Sequence, residues 1–523
     1  MRSTFMGIEM SKRALFAQQA ALTVTGHNVS NANTEGYSRQ TINFTASEPL
    51  EAPALTRSTV PGMMGQGVEF DQIKRVREKF LDDQYYNENK SLGEWSVRKD
   101  TLEKLETIFN EPSDSGIRQV MDGFWNSWQV LSREPENLTA RAALKEKSLA
   151  MTDAFNDVGK KLQDLKSDLS KNIDVKVGEV NNYTSQIASL NVQIAKVEGL
   201  GNQANDLRDQ RDLLVDKISK IVNVSVTETN GGYNVNMGGT SLVSTTDGAA
   251  TITQATLQSA VGADLKSGEV YGMFVSRDQY IPSYEFQLNS MLKSLVQNKI
   301  DVTLPKGTVI PDGTVLNGVT YSGSIATRTL TADLKTQVDG FNGLHELGYT
   351  SDDPPVSGIP FFTLKNGETE FNANSITVNP EIVAKVSKIV TSGRVYTDSS
   401  GNTKTVSGNN DIALNIVGLR TFKFSFDPAA NGTPILSKGT FDEFYQAVIG
   451  QLGVQSQEAG RQQDNQTGLV EQINSRRQSV SGVSLDEEMA NMIKYQQSYN
   501  AAARALTVFD QVLDKLINGT AVH

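Results

Sequence analysis

The residues able to carry acid–base, nucleophilic or metal chemistry in this chain are few and scattered. There are three histidines, His27, His345 and His523. None has another histidine at the spacing a metal site needs, so they read as surface or packing residues. Cysteine is absent, which removes thiol nucleophiles, cysteine-ligated zinc and disulfide scaffolds. Asp206, Asp209 and Asp212 recur at every third position of a helical segment, an arrangement that could face a cation. Arg208 and Arg211 are interleaved with them, so the spacing reads as a solvated, salt-bridged face. No phosphate loop, dinucleotide fingerprint, nucleophile elbow or calcium loop occurs, and Gly65-Gln-Gly67 reads as turn chemistry. Trp95, Trp125 and Trp128 fall at helical positions and are expected in a bundle core. No catalytic residue, metal ligand or cofactor is expected, and the chain reads as a protein that is not an enzyme.

The strong patterns lie at the two ends. From Ser484 to Ile517 the pairs Met492/Tyr495, Tyr499/Ala502, Leu506/Phe509 and Leu513/Leu516 recur every seven residues, an a/d seam that must lie against another helix. Ser484 and Glu487 form a capping-box start, and Asp486 and Glu488 add negative charge there. No proline or glycine interrupts before Gly519, so the helix is roughly 50 Å long. At the other end Ile8, Leu15, Leu22 and Val29 form one apolar row at the same period. Ala14, Ala17, Ala20 and Ala21 flank it and permit close approach, while the second row, Ser11, Gln18 and Thr25, is weaker. The simplest pairing is of these terminal helices with each other, and then with copies of the same chain. Burial along the seam roughly balances the entropy of ordering it, so both ends are expected to be ordered only where something covers them.

Bulk properties fit such a molecule. The length of 523 residues allows three or four domains. A net charge of −11, with basic residues spread along the chain, argues against nucleic acid as a partner. Aromatic residues at 7% and hydrophobic residues at 38% suit an elongated, surface-rich protein. No segment reads as membrane-spanning, and Ala14–Val24, which contains Gln18 and Gln19, is expected not to be a signal peptide.

Between the ends, Asn31, Asn33 and Gly36 signal a turn, and Tyr37–Phe44 and Val68–Val76 read as extended. Residues 49–67 read as loop, and Arg77–Phe109 as helix. Residues 113–221 are helical in pattern, broken at Gly199 and Gly201. A hairpin turning at Asn230–Gly232 follows, then a helix at Tyr284–Gln297. Turn signals at Pro305–Gly307, Pro311–Gly313 and Asn317–Gly318 mark a small β module. It is expected to interrupt a helical connection that resumes at Leu334–Leu347. Residues 360–435 are mixed, and Thr440–Gln478 returns to helix.

GHNVSNANTEGYSRQ (residues 26–40) after a terminal amphipathic helix, with ANMIKYQQSYNAAARALTVFDQVLDKLI (490–517) at the other end, resembles the paired terminal motifs of bacterial flagellar axial proteins. Among rod, hook and hook-associated members the pattern is most similar to the hook-associated protein 1 (FlgK) family. Asn28, Asn31, Asn33, Gly36, Tyr37, Ser38, Arg39 and Gln40 carry the N-terminal motif. The resemblance implies a structural adaptor at the hook–filament junction, outside the cell, exported by the flagellar type III route without a cleaved signal peptide. It implies as partners other copies of the chain, hook protein, the next hook-associated protein (FlgL type) and an export chaperone of FlgN type on the C-terminal helix, with no nucleic acid and no membrane insertion. The alternatives are a hook or rod protein, which the long helical block at 113–221 disfavours, and a surface-exposed enzyme carrying flagellar-type ends.

The expected fold is α+β and multidomain. Residues 1–75 with 484–523 form a coiled-coil-like shaft and extended arm, and 76–221 with 440–483 a helical bundle. Residues 222–297 with 334–439 form a mainly-β outer domain, and 298–333 the inserted β module.

Overall fold

The computed structural model describes residues 5–48, 65–111, 113, 116–229, 232–365 and 367–519. His523 and Asn230 lie outside them, as does most of the proline-rich stretch read as loop. The chain is α+β, as its patterns require. Helix α1 (Met6–Ser30) leads to an antiparallel pair, β1 (Gln40–Ala46) and β2 (Val68–Arg75). Then come α2 (Lys79–Phe109), α3 (Ile117–Arg133), α4 (Leu138–Glu198) and α5 (Asn205–Ile221). Two long helices close the chain, Phe441–Ser481 and the C-terminal helix Leu485–Asn518. The chain divides into two compact units, each assembled from separate stretches of sequence.

Unit one comprises Met1–Trp95, Ile173–Gly272 and Gln462–His523. Within it α1 packs along the C-terminal helix, and β1 and β2 lie against α1. The strands pair from Gln40 opposite Arg75 to Ala46 opposite Val68, with a register shift at Asn43/Phe44. A four-stranded antiparallel meander follows α5: β3 (Ser225–Thr229), β4 (Gly232–Met237), β5 (Thr240–Ser244) and β6 (Gly248–Ala249). β3 and β4 are the arms of the expected hairpin.

Unit two comprises Ser96–Asn172 and Met273–Arg461. Its core is aromatic. The Phe341 ring lies 5.2 Å from both Phe361 and Phe362, 5.5 Å from Trp128 and 5.7 Å from Phe124. Trp125 and Trp128 are buried as expected; Trp95, in unit one, is only half-buried. The expected helix at Leu334–Leu347 is corrected. Leu334–Asp339 is a strand, paired antiparallel with Lys299–Leu304, and only Gly340–Glu346 is helical. Thr336 and Val338 are buried between exposed Lys335, Gln337 and Asp339, the two-residue period of a strand with one face covered. The turn-rich stretch between these strands carries a short hairpin, Thr314–Leu316 with Val319–Tyr321.

Candidate functional site

The two terminal helices run antiparallel. Near one end of the pair Asn28 Nδ2 donates to Glu488 Oε2 at 3.1 Å. Near the other the Phe509 ring lies over Gly7, where an added Cβ would come within 2.5 Å of it. The alanines keep α1 thin: its buried positions are Ser11, Ala17, Ala21, Val24, Thr25 and Asn28. Ile8, Leu15, Leu22 and Val29 flank that face and are half-buried. On the C-terminal helix Met492, Tyr495, Tyr499, Ala502 and Leu506 are half-buried, and Leu513 is buried. Phe509 and Leu516 stay 38% and 49% exposed. The Tyr495 ring also meets Phe44 of β1, 6.1 Å between centroids. A second apolar set on the same helix, including Leu485, Met489, Ile493, Val508 and Val512, faces outward uncovered.

Where the helix pair meets the start of the β arm, the motif residues form a buried polar knot. Asn28 Oδ1 accepts from the Gln40 N–H at 3.0 Å and the Tyr37 hydroxyl at 2.8 Å, while its Nδ2 also donates to the Gln40 carbonyl at 2.8 Å. One side chain thereby satisfies a backbone donor and acceptor that the chain's turn leaves without partners. Glu488, 2% exposed, accepts from Arg39 Nε at 2.8 Å. Arg39 Nη1 reaches Glu487 at 2.7 Å, and its backbone N–H donates to Ser481 O at 2.8 Å. Glu487 is thus drawn to Arg39, while Ser484 Oγ accepts the Glu487 N–H and caps the helix. His27 Nδ1 lies 3.0 Å from the Tyr37 hydroxyl. Burial, with Asp206, Asp209 and Glu488 nearby, pushes that hydroxyl far above its ordinary range, so it stays a donor. Asn31 caps α1 through its N–H on His27 O, and Asn33 is exposed. Gly36 turns the chain at φ +80°, with Leu213 Cβ 3.0 Å from where a side chain would begin.

Asp206 is exposed, as a solvated face requires, but the other two carboxylates of that set on α5 are not, and for them the expectation is corrected. Asp209 and Asp212 are buried, and both are held by Arg75 Nη1, at 2.7 and 2.8 Å. Arg77 pairs with Asp82 at 2.7 Å, and Arg477 bridges Asp82 and Asp216 at 3.0 and 2.9 Å. Asp209 also accepts the Ser38 N–H at 2.9 Å, and Asp206 accepts from Gln40 Nε2 at 2.8 Å. The interleaved arginines turn elsewhere: Arg208 to Glu198 and Glu228, and Arg211, fully buried, onto the Tyr233 ring at 3.4 Å. Burial acts on the carboxyls of Asp209, Asp212 and Asp216. It outweighs Arg75 at Asp209, whose carboxyl is raised, and pushes Asp216 up to about 6 against Arg477 and Arg77. At Asp212 burial is overcome by Arg77 and Arg75, and the carboxyl is held low. Among the described residues no three His, Asp or Glu gather to hold an ion.

His345, in unit two, has both ring nitrogens committed. Nδ1 lies 2.6 Å from Ile359 O, and Nε2 accepts the Val390 N–H at 2.9 Å. It is a buried neutral packing group, the role its isolation in the sequence implies.

Family comparisons agree with this geometry. Residues 8–37 match a flagella basal body rod protein family and residues 475–519 a flagellar basal body rod FlgEFG protein C-terminal family. These are the stretches that hold the helix pair, and they define the class: an axial protein of the bacterial flagellum. Residues 102–300 match the helical domain of flagellar hook-associated protein FlgK. The chain is 33% identical to flagellar hook-associated protein 1 of Bacillus subtilis, over 100% of this chain and 99% of that one. It is 26% identical to the Salmonella typhimurium and Escherichia coli proteins of the same name, over 98% of this chain and 99% of each. The flagellar hook junction protein FlgK from Burkholderia pseudomallei aligns at 16% identity and TM-score 0.49, over 76% of this chain and 100% of that one, a likeness too partial to add to the sequence match. The chain belongs to the flagellar hook-associated protein 1 family. It is a structural component of the flagellum, and the resemblance read from residues 26–40 and 490–517 is borne out.

Proposed function

We propose that the chain is the adaptor between hook and filament, acting outside the cell by assembly and not by catalysis. The observation that carries this reading is the incomplete burial of the terminal helix pair. α1 covers one side of the C-terminal helix, and the outward set Leu485, Met489, Ile493, Val508 and Val512 remains uncovered in the single chain. Two exposed apolar groups on one helix, Leu485, Met489 and Ile493 near its start and Val508 and Val512 further along, call for neighbours, and copies of the same helix pair supply them. Hook protein on one side and a FlgL-type protein on the other complete the junction. Before export the same face is an aggregation liability, which a FlgN-type chaperone on the C-terminal helix relieves. Export proceeds by the flagellar type III route without cleavage of the N-terminus.

Immunogold labelling of intact flagella tests the location: label at the hook–filament boundary is expected, and label along the whole hook or along the rod overturns the reading. Removal of residues 485–523 is expected to abolish chaperone binding while unit two still folds; retained binding moves the chaperone site elsewhere.

A further inference from the structure

The apolar seam between the terminal helices does not by itself determine how far one helix slides along the other. From the Asn28–Glu488 contact to the Gly7–Phe509 contact, α1 goes back 21 residues and the C-terminal helix forward 21. The pairing therefore keeps one register over three heptads. A slide of one heptad would keep the seam in phase, because Leu15, Leu22 and Val29 repeat at seven and so do Met492, Tyr499, Leu506 and Leu513. It would not keep the polar contacts. Asn28 would meet Tyr495 or Ser481 in place of Glu488. Arg39, fixed to the arm and to Ser481 O, would lose its buried carboxylate. Glu488 would then carry its charge away from a guanidinium and an amide that now leave it 2% exposed.

We infer that the knot of Asn28, Arg39 and Glu488 is the register pin of the terminal helix pair. The seam still offers attraction one heptad away, where the half-exposed Phe509 ring would have to turn aside from Ala14, and the knot makes one step complete. A buried polar contact used in this way trades stability for a single alignment. The inference concerns the free chain and stands apart from the junction reading, so failure of either leaves the other in place.

The absence of native cysteine permits a direct test by disulfide formation in the full-length chain. Ala14→Cys with Ala502→Cys reports the observed register, and Ala21→Cys with Ala502→Cys reports a slide of one heptad. In the otherwise unaltered chain only the first pair is expected to cross-link. In Arg39→Met/Glu488→Met, where Asn28 keeps its bonds to Gln40 and Tyr37, the second pair is expected to appear. The ratio of native to slipped product should fall by about tenfold or more, a factor within reach of one buried charged hydrogen bond. Glu488→Gln, which keeps the shape and removes the charge, should give a smaller shift in the same direction. Exclusive cross-linking of the native pair in a folded double variant, with helix content unchanged by circular dichroism, overturns the assignment. If the double variant does not fold, exclusive native cross-linking in Glu488→Gln overturns it equally.

Discussion

Unit one places Arg211, Asp209 and Asp212 in its interior and ties Arg75, Arg77 and Arg477 to carboxylates around them, whereas unit two gathers Phe124, Trp128, Phe341, Phe361 and Phe362 in its interior. Buried charge and buried rings hold a fold in different ways. Ion pairs out of water return little net stability, because desolvation offsets attraction, but they tolerate only one arrangement of partners. Ring burial is strongly stabilising, and rings can meet either edge to face or offset. Unit one, whose helices have faces left for neighbours, is thus built for geometry, and unit two for stability.

Substitutions separate the two. Phe341→Ala should give the largest effect, about 4 kcal/mol lost from unit two, since it empties a site touched by at least four rings. Hydrogen exchange read unit by unit should show the loss confined to residues 96–172 and 273–461. Asp212→Ala should cost unit one about 3 kcal/mol by leaving Arg75 and Arg77 short of a buried partner. Conversion of the Arg75, Asp209 and Asp212 set to apolar residues together should cost less than Asp212→Ala alone. A triple variant that is the more damaged of the two would show that the pairs stabilise, and the contrast with unit two would fail.

Acid should move the units in opposite directions. Burial lowers the His345 imidazole to about 4, so the fold favours the neutral ring. Its contribution is complete above the ordinary histidine range and is lost as pH falls from about 6.5 to 4, on the order of 3 kcal/mol at most. Asp216 behaves inversely. With its carboxyl raised to about 6, the fold favours the protonated acid, so its contribution is complete below pH 4 and is lost as pH rises through 6, roughly 3 kcal/mol at most. Between pH 7 and 5 the protection of amides relative to their intrinsic exchange rate should fall in unit two and rise around Asp216. His345→Gln should flatten the first trend and Asp216→Asn the second; parallel trends in both units would break the comparison. The smallest effect on the free chain should come from Leu506→Asp, under about 1 kcal/mol because Leu506 is only half-buried. The same charge in an assembled seam, dehydrated by neighbours, should give hooks without filaments and unpolymerised flagellin in the medium. Normal swimming by that variant would remove the seam from assembly.

The long helices were legible because their signals are local: the Ser484 cap, the heptads after it and the three-and-four spacing through α4 all lie within a few turns. Leu334–Asp339 was misread because Leu334, Val338, Phe341 and Leu344 recur three and four apart, so the stretch fits a helical period as well as a strand's, and its strand partner at Lys299–Leu304 sits across the turn-rich stretch. The carboxylates on α5 were misread for a similar reason. Arg208 and Arg211 are near in sequence, and Arg75, the actual partner, is distant. Of the motif residues, the resemblance pointed to Asn28 and Arg39 but gave no hint of Glu488, which looked like one more acid at a helix start. A buried polar side chain on α1 followed by an arginine on an extended arm is the signal that would have called for a third partner.

The bond between Asn28 and Glu488 joins residues 460 apart. At ribosomal speeds of about 5–20 residues per second, α1 waits roughly 20–90 s before its partner exists. A helix that is half a seam, with Gln18 and Gln19 and a row of alanines where large apolar residues would otherwise sit, endures that interval with little to aggregate. Completion of unit one therefore cannot precede the last moments of synthesis, and any delay in making or delivering the final 40 or so residues, a chaperone held on them included, extends the time for which the first 30 stand alone.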